Sequence, residues 1–198
     1  MNVQVKSSNG ITLIPIETRL LADRKVFIEG EINQQSACDF IKKILLLCKE
    51  DTAAPIDVLI DSLDSLGGEI SAGLLMYDCI QSSKAPIRMF CIGMAYSMGA
   101  LLFACGNHGR YMLPHSELML HEPLLGSGVR GNASSIRSIS DSLMDTKKKM
   151  NQILAKHTGK TMEEIEKATR FDHYFSPEES IEFGLADEIV GLNKIMEG

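Results

Sequence analysis

Apolar and polar positions change their period repeatedly along this chain, and each change marks an expected element. Val3 and Val5 share one parity, Ser8-Asn9-Gly10 follows, and Ile11 and Leu13 resume the alternation. Asn-Gly between two alternating runs predicts a hairpin, because both turn positions must tolerate positive φ. A hairpin at a chain end has little beneath it to pack on. Val26-Phe27-Ile28-Glu29-Gly30 reads as a buried strand ended by Gly30. From Gln35 onward Ala37, Phe40, Ile41, Ile44, Leu45 and Cys48 recur at helical spacing. Pro55 interrupts the pattern, and Ile56-Asp57-Val58-Leu59-Ile60 predicts a second strand. Beyond Gly67-Gly68, Ile70 to Cys79 predicts a helix; Pro86 then precedes a third strand, Ile87 to Ile92. Met98 to Cys105 reads as a buried helix and Glu117 to Leu120 as a further strand.

A longer helix follows, with Ile136, Ile139, Leu143, Met150 and Ile153 on one stripe, Asn132 as its cap and Gly159 at its end. Its Lys147-Lys148-Lys149 face reads as solvated, and Pro177 to Gly184 predicts a closing helix and turn. Strand and helix alternate through the first part of the chain, which implies an α/β layer fold on a mainly parallel sheet. No low-complexity linker divides the 198 residues, so one domain over residues 1–198 is expected. One oddity is a tandem tripeptide, Asp61-Ser62-Leu63 and Asp64-Ser65-Leu66, which lengthens the loop before Gly67. Nothing in the sequence explains it.

Composition narrows the classes. Hydrophobic residues are 44% and charged residues 23%, as in an ordinary globular domain, which excludes bulk disorder. The net charge is −6 with no Lys/Arg block to offset it, so no nucleic-acid partner is expected. Cys38, Cys48, Cys79, Cys91 and Cys105 are odd in number and never spaced C-x-x-C. They read as small buried hydrophobes in a reducing compartment, without a disulfide frame or metal site. Met1 to Lys6 lacks the apolar stretch of a signal peptide, and the longest apolar runs, Ile44 to Cys48 and Ala100 to Cys105, are too short for a bilayer. A cytoplasmic protein without a membrane partner is the expectation. Neither the G-x-G-x-x-G fingerprint nor the phosphate-loop pattern is present, and no cofactor is expected.

The most informative stretch is Gly93-Met94-Ala95-Tyr96-Ser97-Met98-Gly99-Ala100. The pattern predicts that a strand ends at Gly93 and that an apolar helix starts just after Ser97. A hydroxyl there meets free backbone N–H groups and the positive end of the helix dipole, which favour an oxyanion. Such a serine serves either as an N-cap or as a nucleophile at an elbow-like turn. A nucleophile also needs a base. Among His108, His115, His121, His157 and His173, only His121 follows a buried strand into a loop; the others read as surface residues. Asp172, within Arg170-Phe171-Asp172-His173-Tyr174-Phe175, is an acid that either faces water or orients an imidazole. Gly67-Gly68 is a turn or a place where backbone approaches a ligand closely.

Taken in order, these segments resemble a known family. Thr18-Arg19-Leu20-Leu21, Ser65-Leu66-Gly67-Gly68, Ser71-Ala72-Gly73 through Tyr77-Asp78, Gly93 to Ala100, Met119-Leu120-His121-Glu122-Pro123-Leu124, and Tyr174-Phe175-Ser176 to Gly184-Leu185-Ala186-Asp187 carry the resemblance. Together they make the chain, to about Val190, similar to the proteolytic subunit of the Clp protease (ClpP) family. The resemblance implies a crotonase-like α/β fold of repeated β-β-α units, an N-terminal hairpin over residues 1–14 and a protruding handle helix over about 132–157. It implies a serine endopeptidase in which Ser97, His121 and Asp172 form the triad and the Gly68 and Met98 N–H groups form the oxyanion hole. Gly67, Ile70, Leu124 and Leu125 are the expected substrate-binding positions. Implied partners are polypeptide substrates, further copies in heptameric rings that stack as a tetradecamer, and an AAA+ unfoldase docked outside, with Val3 to Leu13 lining the pore.

Four positions depart from the family pattern: Leu66 replaces a Pro, Glu122 a Gln, Phe171 an Arg, and Tyr96 a small residue. The first loosens the glycine loop, the second sets a carboxylate beside the base, and the third removes a group that helps rings pair in the family. A ring subunit that does not cleave, and an acyl-CoA enzyme stabilising an enolate on the same fold, are the competing functions.

Overall fold

The N-terminal alternation becomes an antiparallel pair, β1 (Asn2–Ser7) and β2 (Gly10–Pro15), with Ser7 opposite Gly10. The computed structural model describes residues 1–7, 10–62, 68–125, 128 and 130–196, so the expected turn residues Ser8 and Asn9 lie outside it. The pair forms a sheet of its own, followed by α1 (Ile16–Ala22). The body then runs β3 (Lys25–Glu29), α2 (Gln34–Glu50), β4 (Ile56–Ser62), α3 (Ile70–Ser82), β5 (Ile87–Tyr96) and α4 (Met98–Ala104). After β6 (Arg110–Met112) and β7 (Glu117–Leu120) come α5 (Ala133–Thr158) and α6 (Met162–Thr169). β8 (His173–Phe175), α7 (Pro177–Phe183), β9 (Glu188–Ile189) and α8 (Asn193–Met196) close the chain.

Strands β3, β4, β5, β6 and β9 lie side by side in that order, every pairing parallel, as near-continuous apolar strands between helices require. The β-β-α unit is expressed through a bent strand. The first part of β5 pairs with β4 and β6, whereas Met94, Ala95 and Tyr96 pair with β7. β8 runs antiparallel along β7. The core lies where α2, α3 and α4 cover the sheet, and all seven residues of α4 are buried.

The expectation that the third strand ends at Gly93 is corrected: β5 continues to Tyr96, and the chain turns at Ser97 itself. The reason is a register shift between Ile60 and Ser62, where β5 bulges against β4: Ile60 pairs with Cys91 but Ser62 with Ala95. The Asp61 carboxylate accepts the Met94 N–H at 3.1 Å, replacing a ladder bond. Gly93 makes this possible, because a Cβ there would stand 2.5 Å from the Asp61 carboxylate oxygen. Ser62 is buried and donates to the Gly30 carbonyl at 2.5 Å. The start of the tandem tripeptide therefore belongs to β4; residues 63–67 lie outside the described residues.

Arg24, at φ 59°, closes the far end of α2: its guanidinium donates to the carbonyls of Leu47, Asp51, Ala54 and Pro55 at 2.9–3.1 Å. These include carbonyls that a helix end leaves unpaired. Asn132 caps α5, accepting the Ser135 N–H at 2.9 Å, and Gly159 ends the helix at φ 73°, both as the sequence predicts. Only the C-terminal part of α5 is seated, through Met150 and Leu154; Ile136 and Met144 are exposed, so the first half stands off the body.

The cysteine expectation holds only in part. Cys91 and Cys105 are buried, Cys48 and Cys79 half-buried, and Cys38 exposed, because it faces away from the apolar stripe of α2; all five are free. Burial pushes the Cys79 thiol up to about 11 and the Cys91 thiol to about 12, so both stay protonated at neutral pH. Among the described residues no helix is long and apolar enough to cross a membrane.

Candidate active site

Three strand ends meet at one edge of the sheet. In register, Tyr96 of β5 lies beside Met119 of β7, and Met119 beside Tyr174 of β8. Leu120 pairs with His173, so one further step past each strand end brings His121 opposite Asp172. Because β8 is antiparallel, its beginning lies where β5 and β7 finish. Residues far apart in sequence thus converge through strand register alone.

Ser97 sits at the turn between β5 and α4 with φ 54° and ψ −114°, a conformation costly for a residue with a Cβ. Its backbone is fixed on both sides: the N–H donates to the Met119 carbonyl at 2.8 Å, and the carbonyl accepts from Leu101 N–H at 3.1 Å. The side chain makes no cap bond to α4. Instead Oγ lies 2.7 Å from His121 Nε2. Of the two uses open to this serine, the side chain therefore takes the one that meets a base.

The His121 side chain is only 7% exposed, and its Nδ1 stands 3.7 Å from Asp172 Oδ1. That separation exceeds a hydrogen bond. Asp172 itself is 60% exposed, so the carboxylate has room to close on the ring. Met98 is the first residue of α4, and its N–H is among the amides that a helix start leaves unpaired. Its buried side chain lies over Gly73 of α3, where a Cβ would fall 2.2 Å from Met98 Cγ. Gly68 is buried, and the next residue is anchored by its N–H to the Ile32 carbonyl at 2.9 Å. Gly67, expected at the substrate, lies outside the described residues. Ile70, Leu124 and Leu125 line one groove of about 430 Å³, together with Ile139 and Leu143 of α5.

Sequence reasoning missed two features here. Glu122, expected as a carboxylate beside the base, is held by Lys147 of α5. Lys147 is thereby not the solvated lysine its triplet suggests; no local spacing links it to a residue so distant in the chain. Both line a charged cavity of about 490 Å³ with Glu163, Glu166, Lys167 and Arg170. The second feature is Tyr96, whose hydroxyl donates to the Glu117 carboxylate and whose ring meets Tyr174 edge-on. The large residue ahead of Ser97 was the available signal, but its partners were not legible.

The other histidines divide. His108, His115 and His173 are exposed as expected, but His157 is half-buried, 3.3 Å from the Tyr77 hydroxyl, because the end of α5 packs against α3. Phe171 is exposed, with the Arg170 guanidinium 5.7 Å from its ring centre. Among the described residues no group of three His, Cys, Asp or Glu side chains is placed to hold a metal ion.

Taken together, the site offers a hydroxyl on a base, a carboxylate within reach of that base, and unpaired amides beside the hydroxyl. Those are the parts an acyl transfer needs. A family model described as Clp protease matches residues 8–193 of the chain.

Proposed function

Because the chain belongs to the Clp protease family, a family of peptide-bond hydrolases, we propose that it is a serine endopeptidase and the proteolytic subunit of an ATP-dependent assembly. The observation that carries this reading is the 2.7 Å approach of Ser97 Oγ to His121 Nε2 at a positive-φ turn. With Nδ1 protonated and facing Asp172, Nε2 is the acceptor, and Ser97 donates to it. Ser97 Oγ attacks the scissile carbonyl carbon while its proton passes to Nε2. Asp172 closes on Nδ1 and stabilises the imidazolium. The oxyanion is received by the N–H groups of Met98 and Gly68, a donor being worth about 3–4 kcal/mol of barrier. His121 then returns the proton to the leaving amine, and water releases the acyl group by the same steps.

Substrate lies along the groove formed by Ile70, Leu124 and Leu125, whose apolar walls suit an unfolded polypeptide rather than a polar metabolite. The exposed half of α5 and the self-contained β1–β2 pair fit a cytoplasmic particle built of rings, the first as a contact between copies and the second at the docking face of an AAA+ unfoldase. A second reading, a ring subunit that does not cleave, draws on the 3.7 Å gap between His121 and Asp172. One experiment separates them. A fluorophosphonate should label Ser97, and Ser97→Ala should abolish both labelling and hydrolysis of a fluorogenic peptide. Equal peptidase rates for the wild type and Ser97→Ala would end the first reading, and intact rings without labelling would establish the second.

A further inference from the structure

Asp172 is held loosely for a residue that must meet His121. β8 has only three residues, and among the described residues its ladder is to β7 alone. Phe175, at its far end, is buried and anchors that side, and the His173 ring stacks on it with centroids 4.1 Å apart; on the opposite face of β8 the described contact is the ring of Tyr174. Tyr96, Met119 and Tyr174 are register partners across three strands and so share a face of the sheet. The two tyrosine rings meet over Met119 with centroids 5.7 Å apart and planes at 86°, the edge-to-face arrangement aromatic pairs prefer. Tyr96 is in turn fixed from below. Glu117, two residues before Met119 and therefore on the same face, accepts its hydroxyl.

We propose that Tyr96 and Tyr174 form a clamp across β7 that positions Asp172 against His121. The proposal rests on the serine-peptidase reading and goes beyond it by giving Tyr96, the bulky neighbour of Ser97, a task. Glu117 sets the Tyr96 ring, the ring edge holds Tyr174, and Tyr174 limits how far the start of β8 can lift from β7. Tyr96 is thereby tied by covalent connection to the nucleophile and by contact to the strand of the acid. Burial and the Glu117 carboxylate push the Tyr96 phenol up, so it remains a neutral donor throughout the working range. Both tyrosines are positioning residues, acting through Asp172.

The test is a double-mutant cycle on the full-length chain, read by kcat and KM on a fluorogenic peptide and by the rate of fluorophosphonate labelling. Tyr174 is half-exposed, so its truncation leaves the core intact. Tyr174→Ala should lower kcat about three- to tenfold, the range that loss of one aromatic pair corresponds to, with KM within about twofold. Tyr174→Phe, which keeps the ring edge, should restore kcat. In an Asp172→Asn background Tyr174→Ala should have no further effect, because the group it positions is gone. Tyr96→Phe, which keeps the ring but frees it from Glu117, should show a smaller loss in kcat and the same dependence on Asp172. Wild-type kcat in Tyr174→Ala, or an equal loss in the Asp172→Asn background, would overturn the clamp while leaving Ser97 chemistry standing. A wild type that neither labels nor cleaves would instead remove the reading on which the clamp rests.

Discussion

Ser97 and Gly73 show how much one backbone position can decide. The strained turn at Ser97 persists because Met119 and Leu101 fix the peptide groups on either side, which leaves Oγ free of capping duty and facing His121. Gly73 acts at one remove. Because Met98 Cγ occupies the space where its Cβ would be, the helix α3 can approach α4 closely enough to seat Met98, whose N–H is the proposed oxyanion donor. Gly73→Ala should push Met98 aside and lower kcat by about 10- to 100-fold, part of the effect of losing an oxyanion donor outright. Circular dichroism should show the fold retained; undiminished kcat would mean that the Met98 amide does not take part. The serine and the histidine were legible in the sequence because both sit where an apolar run ends. The role of Gly73 was not, since helix-to-helix approach leaves no mark on local spacing.

At the scale of elements, the C-terminal turn of α5 is fixed to the body by His157, whose Nε2 meets Tyr77 of α3 and whose carbonyl accepts from Arg110 at 3.2 Å. Burial, aided by the charges of Lys156 and Arg110, lowers the pKa of this histidine below its ordinary value of 6.5. The unfolded chain therefore binds the proton at higher pH than the folded one does. Stability from this group is complete above pH 6.5 and falls as pH drops from there through the lowered folded value. Urea titrations between neutral and mildly acid pH should show that fall, and His157→Gln should flatten it; an unchanged slope would place the titrating group elsewhere. Periodicity located α2 and α3 well, because each carries an apolar stripe, and α4 was legible as an unbroken apolar run that is buried all round. Periodicity stopped β5 short because Gly93 reads as a strand end, whereas the glycine instead makes room for the Asp61 carboxylate and the strand runs on along β7. Short strands such as β6, β8 and β9 carry too few residues to show a period at all.

For the whole molecule, the exposed half of α5 is the clearest feature left without a partner inside one chain. Ile136 and Met144 stand in solvent on a helix whose other half is seated on the body through Met150, Asn151 and Leu154. If that half interlocks copies, Ile136→Glu with Met144→Glu should reduce native mass toward a single chain while far-ultraviolet circular dichroism stays unchanged; an intact assembly would assign the contact elsewhere. What the amino-acid order determined by itself was the alternation of strands and helices, the caps at Asn132 and Gly159, and the family to which the ordered motifs point. These follow from forces acting within a few residues: apolar period, turn chemistry and helix-end hydrogen bonds. Only the tertiary structure decided that Lys147 holds Glu122, that Asp172 stands 3.7 Å from His121, and that Tyr96, Glu117 and Tyr174 meet. Those distances depend on the register of three strands and the seating of a long helix, which a packed sheet fixes and local sequence does not.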